Sequence, residues 1–305
     1  MTPSKYLFII DTVRFNKFHS TNIIGDARYV YSVNPDSGTV SAVDKQSLEK
    51  VWEYKVGKDP QTIALDHNSN IWVAVRGDDK ITRINPSKKE IVDFPTGYGS
   101  APHGILIMSN GTGIITLAGK SQIATFNSNT GEIKFGNKLP QGDYRGIAVT
   151  GDNKFALFTR FRASYPSVVS EGASIADPRA EVYKIATTHL NVDRGEQLIE
   201  LKVDNQKSTE GSGPGVPNYL HQVVISPDGR NALIPSKKDN IVDGGSRNGI
   251  LLGPNTTVRS IVSTIDLVSD KEVSEQQIDF NDLAPARAVH FTPQGNYIFV
   301  ALMES

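Results

Sequence analysis

Short runs of alternating or β-branched apolar residues, broken by turn-forming clusters, fill this chain of 305 residues. No segment sustains the 3.6-residue apolar period of an amphipathic helix. Alternation is clearest at residues 39–43, 81–84 and 262–265, and aromatic or β-branched residues crowd 29–31, 71–73, 155–158 and 297–300. Between such runs stand Gly25 and Asp26, Asn110 and Gly111, Gly151 and Asp152, Asp228 and Gly229, and Gln294 and Gly295. These residue types accept the positive φ that a tight hairpin demands. Asp44, Asn85, Asn127 and Asp266 each follow an alternating run and read as Asx-turn formers. The pattern predicts units of four short antiparallel strands, a to d, with residues 51–54, 91–94 and 198–201 as outermost strands and few helices.

The units recur. His19, Gln61, His103 and Arg145 stand 42 residues apart, and each opens a first strand, as at 61–65, 103–107 and 145–149. The same segment returns at His221 and Arg287. A four-stranded unit of about 40 residues cannot bury both faces alone, and stacking such units around an axis makes a β-propeller. The fold expected is therefore all-β, a β-propeller of four-stranded antiparallel blades, six of them visible, in a single domain over 1–305. The sixth unit stops after its second strand, while residues 6–10 read as an outermost strand placed ahead of His19. A blade with an open central edge is an aggregation hazard. The expectation is thus a C-terminally incomplete domain, a fragment of a seven-bladed ring, with six closed blades as the alternative.

In an antiparallel meander the start of a, the end of b, the start of c and the end of d share one face. The column of His19, Gln61, His103, Arg145, His221 and Arg287 should ring the central channel at that face. Two intervals in the repeat are stretched by inserts at 161–179, 205–217 and 237–257, and all three leave the blades on the column's side. Long loops without secondary structure are commonly functional or disordered, and both readings stay open.

Composition narrows the function classes. A net charge of −1 gives no long-range attraction to nucleic acid or anionic membrane, so no nucleic-acid partner and no membrane insertion are expected. The chain has no cysteine, which removes disulfides, thiolate metal sites, cysteine nucleophiles and c-type haem attachment within it. The apolar run at residues 6–10 is too short for a signal h-region or a span.

The column is polar or basic throughout and carries no carboxylate. Arginine offers a planar fork to carboxylate or phosphate and histidine adds a proton near neutral pH, so the column suits a small anionic ligand. Arg160, Arg162, Lys237 and Lys238 lie near the insert bases. Alternatively, the same side chains hydrogen-bond loop carbonyls and water in a wet channel. Hard divalent cations need oxygen donors that the column lacks, and a histidine-only zinc site over His19, His103 and His221 is the weaker metal option; no metal and no cofactor are expected. His290, three residues after Arg287, should pack between blades as a satisfied core histidine. No residue is singled out as catalytic.

Residues 28–44, RYVYSVNPDSGTVSAVD, resemble the YVTN-type (YncE-like) repeat of bacterial extracytoplasmic propellers, and the run from Ile225 to Gly229 resembles the SPDG turn of that family. A second similarity, through residues 71–73 and 102–105, is to streptogramin-lyase-like propellers, although the aromatic-Thr-Glu blade ending of that family is missing. Residues 215–220 and 235–240 resemble propellers fused to haem peroxidase domains. The resemblance implies a non-catalytic extracytoplasmic module, periplasmic or extracellular, that presents a binding face to a protein partner or small anion. A cytoplasmic location stays open. The alternatives are a propeller lactonase or lyase acting on a small anionic substrate, and the propeller portion of a larger secreted haem redox protein with a downstream domain.

Overall fold

The computed structural model describes residues 19–164, 178–192, 195–206, 209, 213–241, 243–244 and 248–303. The strand expected at 6–10, the last two residues and parts of the three inserts lie outside the described residues. The described strands form six antiparallel sheets. The first holds β1 (Ile23–Gly25), β2 (Tyr29–Asn34), β3 (Thr39–Asp44) and β4 (Lys50–Lys55). The second holds β5 (Pro60–Leu65), β6 (Ile71–Val75), β7 (Lys80–Asn85) and β8 (Glu90–Pro95). The third holds β9 (Pro102–Ile107), β10 (Thr112–Leu117), β11 (Gln122–Asn127) and β12 (Ile133–Lys138). The fourth holds β13 (Tyr144–Val149), β14 (Phe155–Arg160), β15 (Ala180–Ala186) and β16 (Glu196–Leu201).

The fifth sheet departs from the simple meander. Its inner strand is split into β17 (Val216–Asn218) and β18 (Val224–Ile225), both paired with β19 (Asn231–Asp239). Next comes β20 (Val258–Asp266), whose far edge is shared by β21 (Lys271–Glu272) and β22 (Ile278–Phe280). The sixth sheet consists of β23 (Ala286–Phe291) and β24 (Ile298–Leu302). One four-residue α-helix, Pro254–Thr257, and four single 3-10 turns are the only helical pieces among the described residues.

The turns form where the sequence places Asx residues. Asp44 accepts the amides of Gln46 and Ser47, Asn85 that of Lys88, Asn127 those of Asn129 and Thr130, and Asp266 those of Val268 and Ser269. Each side chain mimics a backbone turn and ends its third strand at the same point of the repeat. Apolar residues facing the neighbouring blade then form one cluster per interface. Ile24, Val33, Val40, Ile63 and Val73 join the first two blades, and Trp72 is wholly buried between the second and third against Phe94 and Phe126. The next interfaces bury Ile114, Tyr144 and Phe158, then Leu157, Val182, Leu220 and Ile234, then Leu233, Val262 and Val289. Burying a side chain of this size stabilises by about 1.5–3 kcal/mol relative to leaving it exposed, so stacking carries the fold.

The residue after each column position ties the inner strands together. Thr62 Oγ1 donates to the carbonyl of His103 and accepts from the amide of Ile105. Gly104 comes so close to the next blade that a Cβ on it would lie 2.3 Å from the Arg145 carbonyl oxygen, and one on Gly146 would lie 2.9 Å from Gln222 Cα. Glycine follows His103 and Arg145 because nothing larger fits. Gln222 accepts from the amide of Val289 at 2.9 Å and donates to the carbonyl of Ser20 at 3.3 Å.

Two expectations are corrected. His19 does not open the inner strand of its blade: β1 begins at Ile23, and His19 instead bridges antiparallel to Ala148. The chain there crosses between blades, with Ser20 donating its amide to the Ile147 carbonyl at 2.8 Å and the Thr21 carbonyl accepting from Ile63. His290 is exposed rather than packed between blades, and its ring meets that of His19 at 5.5 Å.

Candidate functional site

The register brings the insert bases to the column's end of the blades. Tyr144 pairs with Arg160, which places the start of the first insert beside Arg145. Ala180 pairs with Leu201 and Val216 with Asp239, so the other inserts leave on the same side. Bridges between Ser164 and Arg179 and between Asp204 and Gly215 close two of these bases.

His103 stands at the second position of β9, 7% exposed. Its Nδ1 is buried and has no hydrogen-bond partner. Burial holds this imidazole well below its ordinary pKa, and the charges of Arg145, Arg76, His221 and Arg287 push it further in the same direction. Those groups come from the neighbouring blades, so five consecutive blades each contribute one side chain to a shared field. Arg76 opens the 3-10 turn after β6, where its amide donates to the Asp59 carbonyl at 3.1 Å. It was not among the residues expected from the sequence, because it follows a second strand rather than opening a first one.

Arg145 is fixed from two sides. Its Nε and Nη2 donate to Asp143 Oδ2 at 3.0 and 2.7 Å, and its guanidinium carbon lies 3.4 Å from the centroid of the Phe161 ring. Phe161 is buried at the base of the first insert, its amide on the Asp143 carbonyl and its own carbonyl on the amide of Leu220. The opposite face of Phe161 stacks on Tyr219 at 4.6 Å and 18°, and Lys237 Nζ lies 4.2 Å from the Tyr219 ring. The layers Arg145, Phe161, Tyr219 and Lys237 thus pin the connection between the fourth and fifth blades to the mouth of the channel.

His221 sits in the break between β17 and β18, half-buried, 4.9 Å from the Phe161 ring. Burial, then Arg287 and Arg145, lower it to about 3. Arg287 is the most exposed of the group. Partial burial and the nearby Arg145 hold it below its ordinary value, and Nη1 lies 3.8 Å from Met303 Sδ. Gln61 is tied to Asp59 through Nε2. Asp59, Ala101 and Tyr219, each two residues before a column position, have φ of 52°, 45° and 59°. Left-handed backbone at non-glycine residues costs about 1–3 kcal/mol each and tends to cluster at functional sites.

The expected column is therefore brought together in part. His103, Arg145, His221 and Arg287 share one electrostatic neighbourhood, and Gln61 lies at the same strand position of the second blade. His19 is set apart: its Cα partner is three residues beyond Arg145, and its ring meets His290, three residues beyond Arg287. At about 3.3 Å per strand residue that is roughly 10 Å deeper in the channel, which separates it from a ligand set with His103 and His221. Lys238 belongs to β19, wholly buried against Asp204 at 3.2 Å and Asp279 at 3.7 Å, rather than to the mouth. Arg160 is committed to Glu181 at 2.7 Å. Among the described residues no three His, Cys, Asp or Glu side chains stand close enough to hold a metal, and no helix is long and apolar enough to cross a membrane.

The mouth holds three guanidiniums, Arg76, Arg145 and Arg287; Asp143 pairs with Arg145, and nearby Lys237 pairs with Asp239 at 2.8 Å. Among the described residues Arg76 and Arg287 have no carboxylate contact, whereas Arg145 has one. What this arrangement offers is attraction for an anion in a partly dry setting, with two imidazoles whose pKa values burial lowers first and the same cations lower further.

No family model and no curated protein matches the chain. Solved structures do. Hydrazine synthase from Kuenenia stuttgartiensis is 14% identical with a TM-score of 0.66, over 90% of this chain and 70% of that one. A streptogramin B lyase is 15% identical with a TM-score of 0.52, over 95% and 92%. Virginiamycin B lyase from Staphylococcus aureus is 14% identical with a TM-score of 0.53, over 93% and 92%. Identity at this level speaks for the fold alone, and with the stacked four-stranded sheets it shows that the chain is an all-β protein of β-propeller architecture.

Proposed function

We propose that this chain is a non-catalytic β-propeller binding module that takes a small oxyanion at the channel mouth. The observation that carries the reading is that Arg145 and Arg287 hold the same inner-strand position as the buried His103, while Arg76 follows the end of β6 on that side. The stack from Arg145 to Lys237 supports it, since a guanidinium held in advance loses less entropy on binding. The extracytoplasmic setting is part of the proposal and rests on the YVTN-type repeat at 28–44. A protein partner would meet the same face through an acidic side chain.

The test is thermal unfolding of the wild type and of Arg287→Gln in a series of acetate and phosphate concentrations. A ligand at 100 times its Kd stabilises by about 2.7 kcal/mol. The wild type should therefore gain melting temperature with the anion and the variant should gain less. Equal behaviour of the two proteins, or no response from the wild type, ends the reading.

A second reading is a lyase or lactonase acting on a small anionic substrate. The imidazole of His221 beside Arg287 and Arg145 favours it, as a base next to an anion clamp. Lyases among the structural neighbours give it a second support. Turnover of a lactone panel that disappears in His221→Ala would select this reading over the first.

A further inference from the structure

His103 carries two ring nitrogens in different surroundings. Nδ1 is buried without a partner. Nε2 has no hydrogen bond to any described residue either, and it is not a buried orphan, so it is the ring nitrogen that meets the channel. A histidine held neutral must place its one proton on one of these atoms. An N–H buried without an acceptor is rarer and costlier than a buried lone pair. The proton therefore belongs on Nε2, the nitrogen on the accessible side of the ring.

We infer that His103 is a hydrogen-bond donor, presenting Nε2–H to one oxygen of a ligand carboxylate whose charge is met by the guanidiniums of Arg76 and Arg287. The inference rests on the oxyanion reading and gives it a ligand class. Arg76 and Arg287 have no carboxylate contact among the described residues, and a planar carboxylate fits the arginine fork. Below the mouth the chain at Ser20 and Thr21 crosses from β13 to β5, so the rest of the ligand should extend toward the inserts. His103 then sets specificity and is not a general base, because the nitrogen facing the ligand has no free lone pair.

Two measurements test this. Imidazole nitrogen shifts of the wild type at pH 7 should show Nε2 protonated and Nδ1 bare. Calorimetric titration with acetate should show binding within about threefold of wild type for His103→Gln, whose amide keeps a donor near the Nε2 position. His103→Leu should lose at least tenfold, while Arg83→Gln, which touches the Trp72 and Phe94 rings away from the mouth, should bind as wild type does. Inorganic phosphate, tetrahedral and a mixture of mono- and dianion near pH 7, does not present the planar edge of a carboxylate and should bind more weakly than acetate. An Nδ1–H tautomer with acetate binding intact, or His103→Leu binding as wild type, overturns the role given to His103. Phosphate binding tighter than acetate overturns the carboxylate assignment. Failure of the wild type to bind either anion overturns the oxyanion reading itself.

Discussion

The guanidinium of Arg145 lies flat against the ring of Phe161, 3.4 Å from its centroid, although one belongs to an inner strand and the other to an insert. This contact is what joins the repeat to its decoration. The repeat supplies a basic side chain at the channel mouth, and the insert supplies the aromatic surface that orients it. Tyr219 and Lys237 continue the stack, so the position of Arg145 depends on three segments far apart in sequence.

Replacing Phe161 should therefore weaken ligand binding without removing a charge. A partly buried cation–π pair contributes about 0.5–2 kcal/mol, so Phe161→Leu should lower oxyanion affinity roughly 2- to 30-fold. Calorimetry with acetate reads this directly. Unchanged affinity would show that the stack serves only to hold the insert.

Gly104 to alanine tests the close approach of inner strands. The added Cβ would meet the Arg145 carbonyl at 2.3 Å and Ile147 Cγ1 at 2.9 Å, so two blades must move apart. Overpacking of this kind costs about 1–3 kcal/mol. Denaturant unfolding should show that loss, and a loss of oxyanion affinity with it because Arg145 is displaced.

Gln222 to leucine should open the axis locally. The side chain satisfies the Val289 amide and the Ser20 carbonyl in a buried setting, and leaving a buried group unpaired costs about 1–3 kcal/mol. Hydrogen exchange at the Val289 amide should accelerate, while amides of β6 and β7, in the second blade, should keep their protection.

Stability should fall on mild acidification. An unfolded histidine takes up its proton near pH 6.5, whereas His221 in the fold is held down to about 3 and His103 is lowered in the same direction. Below pH 6.5 the unfolded state binds protons that the native state refuses, so stability drops as the pH falls toward the folded value. Each such histidine contributes a slope of up to about 1.4 kcal/mol per pH unit. Asp26 and Asp152 are also lowered in the fold, but their contribution is lost only below the ordinary carboxylate range, near pH 4. His221→Gln should therefore flatten the stability profile between pH 6 and 4 and leave the more acidic part unchanged.

Much of the architecture was legible because it is written locally. Asp44, Asn85, Asn127 and Asp266 announce their turns by residue type alone, and each makes the amide contacts its position requires. The spacing from Gln61 through His103 to Arg145 fixed the inner strands, since one repeat makes one blade. What the spacing could not reveal is departure from the repeat. His19 has the right offset, yet the chain at Ser20 finds its hydrogen bonds on β13, a partner 127 residues away. His221 also keeps the pattern, but Tyr219 adopts a left-handed backbone and the strand breaks around it. Arg76 was missed because it follows the end of a second strand and so stands outside the 42-residue column, although that strand end shares the column's face. Lys238 looked like a loop cation; only the pairing of β19 with β20 shows it inside a sheet.

Crystals soaked in 4-bromobenzoate test the central claim most directly, because bromine locates the ligand through its anomalous scattering. The account expects a peak at the channel mouth, outward of a carboxylate held by His103, Arg76 and Arg287 and on the side of the inserts. Bromine elsewhere on the propeller, with the mouth holding only solvent, would contradict it.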